Sequence, residues 1–312
     1  HNAMSLFSNM GTALFVSAIG ISSGCSIIAG SGNRQVVSFL LGALMVCFGF
    51  LAAKIIALVD VAMDTSILLG ILCGALTSTP GLASACETEN VISESATVGY
   101  GAAYLIGVIG AVVFVQCFMA KGQRARSIDD AAVSSKSAGL QSFIAICVTS
   151  LLGRLISGIK IPYIRFSFGN TGSILLCGIV IGCIMRKITK QGSLPDQSMD
   201  VYRNFGLILF FVGNGVTAGQ RLTAPLHGKW FVYSFIITAA SILGGYIVCR
   251  FVMKKNTENQ MCIVAGGMTS TPAMGVLLKK AEKSPDISVY SFAYLGALLT
   301  ITLGIRVLCA FM

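Results

Sequence analysis

Two stretches of this sequence have residue types and spacing suited to chemistry, and they carry the same four residues. Thr77-Ser78-Thr79-Pro80 and Thr269-Ser270-Thr271-Pro272 each fall in the middle of an apolar run. Proline lacks an N–H and clashes with the preceding turn, so a helix breaks there. Serine and threonine just ahead are good N-cap residues, and proline suits the first helical position. Each motif should therefore end one half-helix and start another. Thr79 and Thr271 are the expected caps. A new helix N-terminus presents unpaired N–H groups and partial positive charge, which together favour an anion. At membrane depth such backbone is tolerated only where it faces protein or a water-filled cavity. The bland alternative is a proline kink eased by threonine hydroxyls. Two copies of one tetrapeptide favour a paired site.

Other residues add less. Asn214 is the one amide in a Phe-Val-x-x-x-Gly repeat, where a helix-packing hydrogen bond and a site role both fit. Tyr104 and Tyr294 recur within Ala-Tyr-Leu. Thr97-Val98-Gly99-Tyr100-Gly101 spells a potassium-filter sequence and gives the alternative reading, an ion channel. Against it, the aligned second copy has lost the glycines, and an apolar helix follows Gly101. Segment interiors hold almost no ionisable groups. Lys54, Asp60 and Asp64 sit at segment edges, and Arg306 is placed to snorkel near the C-terminus. Binding by hydroxyls and backbone dipoles is therefore expected, rather than proton coupling through a buried carboxylate. The 11 cysteines are scattered in apolar stretches without CxxC, and the 2 histidines, His1 and His227, cannot build a metal site. No HExxH, GxSxG or GxxxxGK[ST] is present, so neither an enzyme nor a cofactor is expected.

The elements that must position these motifs are apolar helices. The chain of 312 residues is 55% hydrophobic and only 11% charged, with mean hydropathy +0.83. So few charges cannot solvate a globular surface, and the bilayer is the partner that covers it. Ten segments are read at about 7–29, 35–59, 65–86, 97–120, 138–158, 168–188, 203–220, 229–253, 260–279 and 288–311. The net charge of +10 comes from Lys and Arg in loops, which signals topology rather than nucleic-acid binding.

Repeats organise the segments. Phe15 to Gly24 aligns with Phe210 to Gly219, 195 positions on. Thr77 to Pro80 recurs 192 positions on, and Ala103-Tyr104-Leu105 recurs 190 positions on as Ala293-Tyr294-Leu295. The expected division is a first membrane repeat at 4–120, lacking its two leading helices, a cytoplasmic loop at 121–137, and a second repeat with two leading helices at 138–312. Placing Lys121–Lys136 and Lys279–Lys283 inside makes segments 3 and 9 re-entrant and the repeats inverted, although Arg154, Lys160 and Arg165 then fall outside. The fold class is thus all-α: a polytopic helical membrane protein with inverted repeats and two broken or re-entrant helices. The short first repeat leaves room for a homo-oligomer or a partner chain.

Gly74-Ala75-Leu76-Thr77-Ser78-Thr79-Pro80-Gly81-Leu82, Val98 to Tyr104 and Phe205 to Phe210 resemble the aspartate–alanine exchanger family of bacterial carriers. The resemblance runs through both copies. It implies a secondary transporter of the inner membrane, exchanging small anionic or zwitterionic solutes, with both helix breaks as the site. Family members carry regulatory domains in the central loop and two further leading helices, and this sequence has neither.

Overall fold

The computed structural model describes residues 2–29, 32–88, 91–119, 136–157, 160–161, 166–167, 169–188, 196–220, 227–253, 257–280 and 286–310. Within helices, the side chains of Asn214, Thr271, Lys279 and Lys280 lie outside the described set, as do the loop at 120–135 and Lys283.

The chain is helical almost throughout. In order the helices are α1 (Asn2–Ala29), α2 (Asn33–Val59), α3 (Thr65–Ala75), α4 (Thr79–Cys86), α5 (Ser93–Phe118), α6 (Lys136–Ser157), α7 (Gly169–Ile188), α8 (Asp196–Gln220), α9 (Gly228–Val252), α10 (Thr257–Gly267), α11 (Thr271–Lys280) and α12 (Ile287–Ala310). One two-residue hairpin, Lys160–Ile161 with Phe166–Ser167, lies between α6 and α7. Seven of these helices contain a stretch long and apolar enough to cross a bilayer. The ten expected segments become twelve helices because segments 3 and 9 are each broken in two. The halves have 11 and 8 residues in the first copy, and 11 and 10 in the second. At 1.5 Å per residue each half spans roughly 12–16 Å, about half of the ~30 Å hydrocarbon core.

Helix directions follow from side-chain partners. Asp60 after α2 meets Lys229 in the first turn of α9 at 2.8 Å, and the Phe48 ring packs on Gly244, so α2 and α9 are antiparallel. Gln35 bonds Ser288 at 3.2 Å and Phe50 covers Gly304, so α2 and α12 are parallel. Ser234 donates to the Ala103 carbonyl at 3.1 Å and Tyr246 packs on Phe114 at 5.2 Å, so α5 and α9 are parallel. Gly11 abuts Phe210 while Gly213 abuts Met4 and Ser8, so α1 and α8 are antiparallel. Every long helix of the first repeat therefore opposes its counterpart in the second, which is the inverted-repeat arrangement. At Asp60 the Lys229 bond, and then the Tyr233 hydroxyl, hold the carboxyl below its usual range.

Both copies seat the broken helix by the same contact. A methyl group at Gly74 on α3 would lie 2.5 Å from the Tyr100 carbonyl and 2.8 Å from Ala103 Cβ. At Gly266 on α10 the corresponding distances are 2.6 Å to the Tyr290 carbonyl and 2.9 Å to Ala293 Cβ. Only glycine permits that approach, so α3 lies on α5 as α10 lies on α12. The second half-helices cross over: α4 packs on α12, with Ser84 bonded to the Thr302 carbonyl at 2.8 Å, and α11 packs on α5. Large apolar side chains such as Leu51, Leu105, Leu155 and Phe235 point outward, as a lipid-covered surface requires. Arg306 departs from expectation. It does not snorkel but pairs with Glu87 of α4's C-cap at 2.6 Å, its side chain only 9% exposed.

Gly74→Ala and Gly266→Ala should each destabilise the protein by about 1–3 kcal/mol through overpacking against backbone. Gly101→Ala, with nothing within 4 Å of the added methyl, should be neutral or gain up to about 1 kcal/mol. Unfolding in detergent measures all three, and equal losses at Gly101 and Gly74 would refute the packing assignment.

Candidate functional site: two interlocked helix breaks

Each break is built in two steps from one tetrapeptide. The first threonine ends the incoming half-helix. Thr77 has φ 52° and Thr269 has φ 48°, the two described non-glycine residues with positive φ. The Thr77 N–H reaches back to the Gly74 carbonyl at 2.9 Å and the Ser78 N–H to Cys73 at 2.8 Å. Thr269 and Ser270 repeat this to Gly266 and Ala265 at 2.8 and 2.9 Å. These pairs form a Schellman termination, in which the left-handed position is ordinarily glycine. A β-branched residue there costs roughly 1–2 kcal/mol.

What the threonine adds is a hydroxyl. Thr77 Oγ1 donates to the Met268 carbonyl at 2.5 Å, and Thr269 Oγ1 donates to the Leu76 carbonyl at 3.0 Å. Leu76 and Met268 are the last residues before the two left-handed threonines, so each repeat satisfies a terminal carbonyl that the other leaves unpaired. The four residues are buried, Leu76 and Met268 completely. The two breaks thus touch tip to tip across the pseudo-two-fold relation.

The serine starts the outgoing half-helix. Ser78 Oγ accepts from the Gly81 N–H at 3.2 Å and Ser270 Oγ from the Ala273 N–H at 3.4 Å. This corrects the expectation that Thr79 and Thr271 are the caps. Because Thr77 takes the left-handed position, Ser78 becomes the cap and Thr79 the first helical residue. Pro80 is buried in the first turn of α4, whereas Pro272 is exposed.

A tyrosine meets the first break. Thr79 Oγ1 and the Tyr100 hydroxyl lie 2.9 Å apart, and Tyr100 stacks on Tyr104 at 5.2 Å. In the second copy Tyr290 and Tyr294 are 5.9 Å apart. Tyr290 occupies the place of Tyr100, yet its buried hydroxyl has no partner among the described residues. An orphan hydroxyl of this kind costs about 1–3 kcal/mol unless a ligand meets it. The structure therefore adds Tyr100 and Tyr290 to Tyr104 and Tyr294, and the 190-residue shift that pairs Tyr104 with Tyr294 also pairs them. Asn214 and the Thr271 side chain lie outside the described residues, so neither is placed at the site.

The channel reading fails on geometry. Thr97 to Gly101 lies within the first turns of α5, and the Thr97 hydroxyl bonds back to the Ser93 carbonyl at 2.7 Å. Carbonyls committed to a helix ladder cannot strip water from an ion.

The family model named Asp-Al_Ex and described as "Predicted Permease Membrane Region" matches residues 1–120 and 145–310, one block for each side of the central loop. The chain belongs to that family. The permease match spans both breaks and the helices that seat them, so this multi-pass membrane protein is a transporter.

The lock predicts an unusual ordering of variants. Thr77→Val keeps the strained φ of the parent and leaves the Met268 carbonyl unpaired, and it should cost about 1–3 kcal/mol. Thr77→Gly loses the same bond but relieves the strain, and it should fall within about 1 kcal/mol of the parent. Thr77→Ser should be nearly silent. Unfolding curves for the three variants check the order, and Val no worse than Gly would contradict it.

Proposed function

We propose that this permease exchanges small carboxylates or amino acids across the bacterial inner membrane, holding the solute between the two helix breaks. The observation that carries the reading is the junction of the two broken helices, where the ends of α3 and α10 are bonded tip to tip and the capped N-termini of α4 and α11 follow directly, with the Tyr100 hydroxyl beside the first. Two inward-facing N-termini present N–H groups and partial positive charge to one volume, and a carboxylate is the group such an environment favours. Thr79, Ser78, Thr271 and Ser270 supply hydroxyls, and Tyr290 supplies a donor without a partner among the described residues.

The hairpins enter and leave on one face each. Support comes from the helix directions: α2 opposes α9 and α5 runs with α9, so α2 and α5 are antiparallel with the first hairpin between them. Likewise α9 and α12 are antiparallel, with the second hairpin between them. Lys121–Lys136 and Lys279–Lys283 are then cytoplasmic, in keeping with their charge. Alternating access follows when one repeat rocks against the other around the interlocked tips.

Counterflow in proteoliposomes with L-aspartate, L-alanine and succinate tests the exchange. Efflux of preloaded solute stimulated by external solute is expected, and passive voltage-driven cation flux would contradict it. Thr79→Val and Thr271→Val keep shape but remove a hydroxyl. A hydrogen bond to a charged ligand is worth about 1.5–3 kcal/mol, so each variant should weaken binding by about tenfold or more. Unchanged binding in both folded variants would make the breaks merely structural.

A further inference from the structure

Glu87 is the C-cap of α4, at the opposite end of that half-helix from the break. Its carboxylate is held from three directions. The Thr171 N–H donates to Oε1 and Oε2 at 3.0 and 2.9 Å, the Thr171 hydroxyl donates to Oε1 at 2.6 Å, and Arg306 Nη2 donates to Oε2 at 2.6 Å. Thr171 stands in the first turn of the 20-residue α7, so that helix directs its N-terminal N–H groups and dipole at the same carboxylate. A backbone N–H, a hydroxyl and a guanidinium on α7 and α12 thus compose a carboxylate receptor. Its occupant is the side chain of Glu87, at the end of α4.

Two features set this apart from an ordinary fastening. First, a guanidinium usually grips a carboxylate through two parallel N–H groups. Here one is used, and the Arg306 Nε–H is buried with no partner among the described residues while the whole side chain is only 9% exposed. The receptor therefore holds more donor capacity than Glu87 consumes. Second, the arrangement breaks the pseudo-symmetry. The place of Arg306 in the first repeat, 190 positions earlier, is Gln116, which is exposed, and α7 has no first-repeat counterpart. Among the described residues, only α4 is fastened in this way.

We propose that α7 and Arg306 form a carboxylate-binding site that Glu87 fills in this state, and that a solute carboxylate takes in exchange, releasing α4. The proposal rests on the carboxylate part of the function given above. Its logic is charge conservation. Removing Glu87 alone strands a buried guanidinium at high cost, whereas swapping one carboxylate for another keeps it paired. A neutral solute cannot make that swap, so release of α4 becomes selective for anions.

Cys86, one residue before Glu87 and half-buried, reports the release; its thiol now lies 3.8 Å from the Ser93 carbonyl. The rate of N-ethylmaleimide addition at Cys86 is followed by peptide mass spectrometry on the full chain in proteoliposomes. Succinate and L-aspartate should raise that rate several-fold in the unaltered protein, and uncharged succinamide should not. Glu87→Gln should be fast from the start and respond no further. Equal rates with and without succinate and L-aspartate overturn the proposal, with no variant needed. If counterflow proceeds while Cys86 stays silent, the exchange at Arg306 fails and the transport reading stands. If Cys86 responds without counterflow, the carboxylate site stands and the transport reading fails. Silence in both assays overturns both.

Discussion

Two hydroxyl-to-carbonyl bonds, from Thr77 to Met268 and from Thr269 to Leu76, are what the rest of this architecture depends on. A helix that stops inside a membrane leaves carbonyls with no water to receive, and each such group costs several kcal/mol in an apolar medium. Glycine would end the helix with less strain but would leave the terminal carbonyl of the opposing repeat unpaired. Threonine accepts an unfavourable φ and delivers a donor. The solution works only when two ends meet head to head, so it requires both copies. The glycines that seat α3 on α5 and α10 on α12, and the serine caps that restart α4 and α11, follow from bringing those ends together.

The symmetry is strict at the tips and relaxes away from them. Distances around Gly74 and Gly266 agree within about 0.1 Å. One turn further, Tyr100 is bonded to Thr79 while Tyr290 has no partner among the described residues. At the far end of α4, Glu87 is tied to α7, which the first repeat does not mirror, and to Arg306 of α12, whose place on α5 is taken by Gln116.

Much of this was legible in the sequence, for identifiable reasons. Proline after Thr-Ser-Thr forces a break, and the repeat offset of 190–195 residues fixes which elements correspond. Charge in the loops pointed to the inverted arrangement, with Arg154, Lys160 and Arg165 counting against it. The cap position was not legible, because threonine in a left-handed conformation is uncommon and local propensity assigns the cap to Thr79. The early start of α8 at Asp196, seven residues before the apolar run at 203, was hidden by its polar first turns. The Glu87–Arg306 pair joins residues 219 positions apart, and no local pattern announces such a contact. Tyr100 and Tyr290 were within reach of the repeat alignment, but burial and orphaned hydroxyls are properties of the fold alone.

The most direct test is a double-mutant cycle on the two threonines, with Thr77→Ala, Thr269→Ala and the pair compared by reversible unfolding in mixed micelles. The two bonds share one interface, so removing the second after the first should cost less than removing it alone. The expected coupling is about 0.5–3 kcal/mol, the range found for residues in one network. Strictly additive losses, within about 0.3 kcal/mol, would mean that the tips do not support one another and would contradict the interlocked site.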